Sequence, residues 1–455
     1  MWAFIFVIVF LLVIYKLKKV YSYWKDRGVD YVCPLIRCFE AFSENIFRTN
    51  SSIDIIQEIY NKFPNNRYVG FYNLFEPVLL IRDLELIKTI TLKDFNVFNA
   101  HSETIPLELD VLWSRNMYAL RDQKSWSNDR AHLNRCLTVN KLKASFTLLQ
   151  TFSDNLIDNL RTNSEGKKMT VEMREIFKRL SNDITAYTYF GVNCDSLKNP
   201  DNEFIHMVDK AMALPAMYGF KNVVGKLCPK LLKCAGVKAF SKDVKTFFTN
   251  IIMQSIKVRL KEKFANYDVI SELLRMHNIE KLDNLDKDTL DNIIAKAFLL
   301  VFSGYETVAS TLSLLVYQLT LNYDIQRKLY EEITRTLKNF NGTIGYNAIM
   351  EIEYLNNVVN ETLRLHPPTS IIDRIATKDY TIEAANENER TLLVKKGTPI
   401  WILQKAIHID PKHFPNPTKF DPDRFSNENK RNIKHYSHIP FGAGPRSCPG
   451  IIGVC

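Results

Sequence analysis

Apolar positions recur with a helical period through most of the middle of the chain. The stretches Phe152 to Leu160 and Val171 to Phe190 predict amphipathic helices. Ile293 to Leu319 is different. It is apolar almost all round and long enough to span a bilayer. Yet it holds Lys296, Gly304, Glu306 and Gln318, and a charge at mid-bilayer is expensive. A long helix buried through a soluble body, with Glu306 lining a polar cavity, accommodates those residues better than a membrane span. Strand-like segments cluster near the two ends of the chain. Arg67 to Tyr72 and Val78 to Ile81 flank a polar turn. Asp379 to Ile382 and Leu392 to Leu403 flank the polar stretch Ala384 to Arg390, with Gly397-Thr398-Pro399 as a further break. The pattern predicts a mainly α body with a small β-rich edge, without internal repeats.

The amino terminus changes this picture. Met1 to Tyr15 carry no charge, and Lys16, Lys18, Lys19, Lys25 and Arg27 follow. The apolar run is shorter than the roughly 20 residues of a spanning helix. Extending it to about Tyr23, with lysines snorkelling, closes most of that gap. Residues 1–23 are therefore expected to be a membrane anchor, and residues 24–455 a body facing the cytosol. The alternative is a cleaved signal peptide, but the basic start and small-residue cleavage site are missing. Met212 to Cys234 interleaves apolar residues with Lys221, Lys226, Lys230 and Lys233. It suits a membrane-surface segment or an ordinary half-buried helix pair around Pro229.

Composition narrows the classes further. The 455 residues are 46% hydrophobic and 24% charged, ample for a large core, and length alone suggests two or three domains. The net charge of +10 suits nucleic acid, an anionic membrane or an acidic partner. The basic residues are dispersed and form no nucleic-acid motif. Eight cysteines are scattered without disulfide or zinc spacing, which fits a reducing compartment.

One cysteine has chemically suggestive neighbours. Pro440-Phe441-Gly442-Ala443-Gly444-Pro445-Arg446-Ser447-Cys448-Pro449-Gly450 is a rigid loop rich in glycine and proline. Glycines let backbone approach a flat ligand closely. Free backbone N–H groups tune a metal-bound sulfur, and Arg446 can pair with a carboxylate of the ligand. The alternative is a surface loop with a free cysteine. Phe441, Gly444, Arg446, Cys448 and Gly450 fit FxxGxRxCxG at all five fixed positions. The loop resembles the haem-binding signature of the cytochrome P450 family. LRDQKSWSNDR, FSGYETVAST, ETLRLHPP and the segment around FDPDRF resemble insect microsomal members of the detoxification type.

The resemblance implies the cytochrome P450 fold and a monooxygenase that inserts one oxygen atom from dioxygen into a lipophilic compound. It implies haem b with iron held by Cys448. Electrons would come from NADPH through a flavoprotein reductase, with cytochrome b5 as a further partner and the endoplasmic reticulum membrane as the setting. Phe441, Gly442 and Arg446 would flank the cofactor. Trp126 and Arg130, one helical turn apart, would meet one propionate, and Arg374 the other. Glu361, Arg364 and Arg424 would form a buried structural network. ExxR also begins at Glu272, Glu332, Glu387 and Glu428, so Glu361 is set apart only by the Leu365-His366-Pro367-Pro368 that follows. Ser303-Gly304-Tyr305-Glu306-Thr307 resembles the oxygen-activating motif, with serine at the first position. Its glycine would allow the helix to widen, and Glu306 and Thr307 would relay protons. The alternative for Thr307 is a hydroxyl bonded to its own helix. Substrate contacts would come from Phe298, Phe302, Ile371, Ile372 and the region from Asn99 to Trp113. Core packing is the alternative for each of the four apolar residues. Lys430, Arg431 and Lys434, basic residues around the haem loop, would meet the acidic reductase, a solvated charged loop being the alternative.

The chain stops seven residues after Cys448 (455 minus 448). The resemblance implies a helix just after the cysteine and further strands, and five residues make no stable helix. The sequence thus suggests a P450 fold lacking its carboxyl-terminal helix and strands, with weakened haem binding. The competing expectation is a non-catalytic product that does not retain haem. A haem-thiolate isomerase or dehydratase is a third reading, against which the Glu306-Thr307 pair argues.

Overall fold

A computed structural model describes residues 2–32, 52–73, 75–102, 105–107, 109–213, 236–262, 268–387 and 389–450. Most of Met212 to Cys234, and the five residues after Gly450, lie outside them. The principal helices are α1 (Trp2–Tyr21), α2 (Ser52–Lys62), α3 (Leu84–Lys88), α4 (Gln123–Cys136), α5 (Val139–Ser164), α6 (Met173–Phe190), α7 (Glu203–Met212), α8 (Lys242–Lys261), α9 (Val269–Met276), α10 (Lys287–Leu321), α11 (Tyr323–Asn339), α12 (Glu353–Leu365) and α13 (Gln404–His408). The strands are β1 (Tyr68–Asn73), β2 (Glu76–Ile81), β3 (Ile372–Ile375), β4 (Tyr380–Ile382), β5 (Leu392–Val394) and β6 (Pro399–Ile402).

The chain forms two compact units. The first comprises Met1–Ser102, Thr369–Lys419 and Arg431–Ser447. Its centre is a four-stranded sheet of order β1-β2-β6-β3. β1 and β2 are antiparallel, with Tyr68 opposite Ile81. β6 runs parallel to β2 and antiparallel to β3. The predicted Leu392 to Leu403 segment is two strands because Gly397 takes a left-handed φ of 88°. β5 pairs with β4 in a separate ribbon, and β6 joins the main sheet. Trp24 is 1% exposed. Its indole donates to the Phe71 carbonyl (2.9 Å), and its ring lies so close to Gly70 that a Cβ there would sit 2.5 Å away. The chain therefore enters this core one residue after the predicted anchor ends.

The second unit comprises Glu103–Pro368, Phe420–Lys430 and Cys448–Cys455. Here the predicted helices appear, Val171 to Phe190 slightly shortened as α6 and the other two with longer bounds. Phe152 to Leu160 is part of α5, and Ile293 to Leu319 is part of α10. α10 begins earlier because Asp286 caps it, accepting the Thr289 N–H at 2.7 Å. By length and composition α10 could cross a membrane. In this unit it packs most extensively on α6, burying Ile294, Phe298, Val301 and Tyr305 at i, i+4, i+7 and i+11. Phe298 sits among the rings of Phe240 and Phe248, 4.9 and 4.8 Å between centroids. That stripe is the core contact, which leaves the Ser303 and Thr307 side of α10 free for other purposes.

Candidate active site

In the first unit, the loop from Phe441 to Ser447 is folded by its glycines. Gly442 and Gly444 take left-handed φ values of 78° and 73°. The Gly442 N–H bonds the Ile439 carbonyl at 2.9 Å, and the Ser447 N–H the Gly444 carbonyl at 3.0 Å. Gly444 is sterically demanded as well. A Cβ there would lie 1.8 Å from the carbonyl oxygen of Thr91, in the π-helical turn Thr89–Lys93. Arg374, buried on β3, braces the loop by donating to the Ala443 carbonyl (3.2 Å) and to the Asp373 carbonyl (2.7 Å). Arg446 is buried too, whereas Phe441 is partly exposed.

Asp373 organises the surroundings. It accepts from His101 Nδ1 (2.9 Å), from the Ser102 N–H (2.7 Å) and from Ser102 Oγ (2.6 Å). Burial alone would raise its pKa. The His101 charge and hydrogen bond, the Ser102 bond and the Arg374 charge outweigh burial and hold the carboxyl well below the usual range. Burial lowers the His101 pKa, Asp373 opposes that, and the Arg374 and Arg446 charges lower it further. Arg374 and Arg446 thus act on one neighbourhood, where their positive charge is only partly offset by Asp373 and suits a carboxylate-bearing ligand, while His101 is driven towards its neutral form. Sequence reasoning did not single out His101. Its partners are some 270 positions away, brought near by the Ala100–Ile375 bridge. Ile372 is buried in β3 opposite Ile402, so it packs within the sheet, and Ile371 is partly buried beside it.

The second unit supplies the thiol. The Cys448 side chain is exposed. Surrounding protein still desolvates it enough to push the thiol pKa up, against the Gly450 N–H and the Arg130 charge, which pull it down. Arg130 lies on α4, whose amino end is capped by Asp122 accepting the Ser125 N–H at 2.8 Å. Burial lowers the Arg130 pKa, and the charge of Cys448 opposes that. Trp126, one turn earlier, is buried. Tyr189 of α6 is pushed up to about 12 by burial, with Cys448 adding to the shift. Nothing in the sequence distinguished that tyrosine.

On α10, Thr307 Oγ donates to the Ser303 carbonyl at 2.6 Å, and Ser303 Oγ to the Leu299 carbonyl at 2.8 Å. Each hydroxyl keeps acceptor capacity for another partner. Glu306 pairs with Arg174 of α6 and accepts from Ser310 at 3.1 Å. It does not bond its neighbour Thr307, because adjacent helical residues point about 100° apart. The expected widening of the helix at Gly304 is not seen. α10 is continuous through Gly304, which faces α6, where a Cβ would make an ordinary 3.4 Å contact with Thr185 Oγ1. Phe302 is partly exposed, its ring 6.2 Å from that of Trp113.

Glu361, Arg364 and Arg424 come together in this unit. Glu361 and Arg364 are both fully buried. Arg364 grips the carboxylate through Nε (2.7 Å) and its terminal nitrogen (2.8 Å). Arg424 Nε lies 3.4 Å away, and the Asp421 N–H donates at 2.8 Å. Lys430, Arg431 and Lys434 are exposed, each within its own unit.

Taken unit by unit, the residues are of the kinds that a haem held by thiolate needs. An accessible sulfur, a loop whose glycine admits no Cβ, and buried cations suited to carboxylates match the donor chemistry. Among the described residues, no group of three or more His, Cys, Asp or Glu could hold a metal ion. An iron that arrives within its own macrocycle needs only one protein sulfur.

Comparison with known proteins agrees. The family profile described as Cytochrome P450 matches residues 45–452. The chain is 33% identical over 430 residues to cytochrome P450 9e2 of Blattella germanica, covering 89% of this chain and 80% of that one. It is 32% identical over 448 residues to cytochrome P450 6k1 of the same cockroach, covering 95% and 83%. It is 34% identical over 386 residues to cytochrome P450 3A14 of Cavia porcellus, covering 84% and 74%. A profile match over nearly the whole length, on a mainly helical chain with small sheets, shows that this chain belongs to the cytochrome P450 family of haem-thiolate monooxygenases.

Proposed function

We propose that this chain oxidises lipophilic small molecules at a haem b bound through Cys448, with electrons from NADPH. The single observation that carries this reading is the Cys448 loop, where the cysteine side chain is accessible and the fold of Phe441–Ser447 depends on Gly444. When bound, a thiolate-held haem supplies oxygen activation, the sulfur pushing electron density towards iron to favour O–O cleavage. The protein's own residues would do the rest. Arg446, Arg374 and His101 would hold one set of carboxylates, and Trp126 with Arg130 another. Thr307 would pass a proton from its hydroxyl. Glu306 would take part only after releasing Arg174, since that pair occupies it. Phe302 and Ile371, both partly exposed, are better placed to touch substrate than Phe298 and Ile372, which are buried in the packing of their own units.

The setting follows the same reading. Residues 1–23 would anchor the chain, and 24–455 would form the haem domain. α1 carries exposed Phe10, Leu11, Ile14 and Tyr15, with Lys18 and Lys19 in its last turn. Basic residues after the apolar run favour a cytosolic body on the endoplasmic reticulum membrane. A flavoprotein reductase, with cytochrome b5 as a second donor, would dock near exposed Lys430, Arg431 and Lys434. No observation favours a non-catalytic product.

Reconstitution in vesicles with NADPH, a flavoprotein reductase and an alkoxycoumarin probe tests the proposal. NADPH-dependent release of hydroxycoumarin is expected, and its loss in Cys448→Ser. NADPH oxidation no faster than with reductase alone, by protein shown to carry haem, contradicts it.

A further inference from the structure

α4 is an unusual helix to hold in place. Its sequence, QKSWSNDRAHLNRC, is overwhelmingly polar, and its buried residues are Trp126 and Asp129. One indole is a small hydrophobic anchor for fourteen residues. Leu133 and Cys136 add partly buried apolar contact with the core of this unit, and the polar part of the attachment is made at Asp129, His132 and Arg135. Lys296 of α10 donates to Asp129 Oδ1 at 2.9 Å, the two side chains 12% and 7% exposed. His132 Nδ1 and Arg135 both meet Glu272 of α9, at 3.0 and 3.2 Å.

Beside the Lys296–Asp129 pair lies a cavity of about 30 Å³, bounded by α4, α9 and α10. That is room for a water or two but not for an organic ligand. Asp129, His132, Glu272 and Lys296 line it. Asp129 Oδ2 is buried and accepts no hydrogen bond among the described residues. A buried carboxylate oxygen left so is costly, and the cavity beside it is lined mostly by apolar side chains such as Leu133, Leu273 and Leu299, so Lys296 is the charge that offsets Asp129 there.

We infer that Asp129 and Lys296 are positioning residues, a largely buried ion pair that fixes α4 against α10 and so sets where Trp126 and Arg130 stand. Trp126 precedes Asp129 by one turn on the buried face, and Arg130 follows it directly. Lys296 lies seven and eleven residues before Ser303 and Thr307, so all three share one stripe of α10. The pair thereby ties the helix proposed to grip the cofactor to the helix proposed to deliver protons. This inference rests on the haem role proposed for Trp126 and Arg130.

The test uses the full chain in detergent micelles, as wild type, Lys296→Met, Lys296→Arg and Ile252→Ala. Ile252 is a fully buried α8 residue of the same unit and serves as the control for general destabilisation. Haem transfer to apomyoglobin is timed alongside each unfolding midpoint. Lys296→Met is expected to lose haem faster by on the order of tenfold, as when an outer-shell partner is removed. Lys296→Arg should stay near wild type, and Ile252→Ala should lower the midpoint without speeding haem loss. Equal haem loss in Lys296→Met and Ile252→Ala at matched midpoints overturns the inference, as does Lys296→Arg behaving like Lys296→Met. Amide exchange over 123–136, read in the same chains stripped of haem, separates the two proposals. Faster exchange there in Lys296→Met alone supports the latch even if the wild type takes up no haem, a failure that would count against the haem role only. Unchanged exchange overturns the latch.

Discussion

The Glu361 network and the Ser303–Thr307 stretch both place polar groups in apolar surroundings, and they treat those groups in opposite ways. At Glu361 both carboxylate oxygens are engaged, and the side chains of Glu361 and Arg364 are wholly buried. The arrangement is closed, with no capacity left for a ligand. On α10, Ser303 and Thr307 bond only their own helix among the described residues and remain accessible on a side that the core does not use. A closed network resists change and serves the fold. An open one has donors and acceptors to spend on a reaction. Charge and burial alone do not mark a functional site; unspent hydrogen-bonding capacity on a rigid element does.

Substitutions sharpen that contrast. Glu361→Ala leaves Arg364 buried without its carboxylate and is expected to cost about 3–5 kcal/mol, read as a collapse of the unfolding midpoint or of soluble yield. Gly444→Ala comes next, at about 3 kcal/mol, because its Cβ meets the Thr91 carbonyl and its φ is left-handed. Asp373→Asn is expected to cost about 1–3 kcal/mol at neutral pH. Its pH dependence follows from the depressed folded pKa of Asp373. The unfolded chain takes up a proton first as pH falls, so wild type loses stability through and below the ordinary carboxylate range. The gap between wild type and Asp373→Asn should therefore narrow on acidification in chemical denaturation. A gap that widens contradicts the assignment. Thr307→Ala, by contrast, should move stability by no more than about 0.5 kcal/mol. Substrate oxidised per NADPH should nonetheless fall by roughly tenfold or more. Large destabilisation with unchanged turnover would erase the distinction between the two regions.

How much of this was legible in the sequence depended on range. The helical period of Val171 to Phe190 and the apolar length of α10 are local signals, and the fold reproduces them to within a few residues. The Cys448 loop was legible because its residues are contiguous. The engagement of Glu306 by Arg174 joins residues 132 positions apart. His101 and the Lys296–Asp129 pair are likewise long-range, and sequence spacing carries no record of partners that meet only on folding.

The central claim, a haem held by the Cys448 thiolate, is tested most directly by the ferrous carbon monoxide difference spectrum of the 455-residue chain in expressed membranes. The account predicts a strongly red-shifted Soret band in the wild type and its disappearance in Cys448→Ser, with the protein still present. Folded wild type without that band, or a band that survives the substitution, contradicts it.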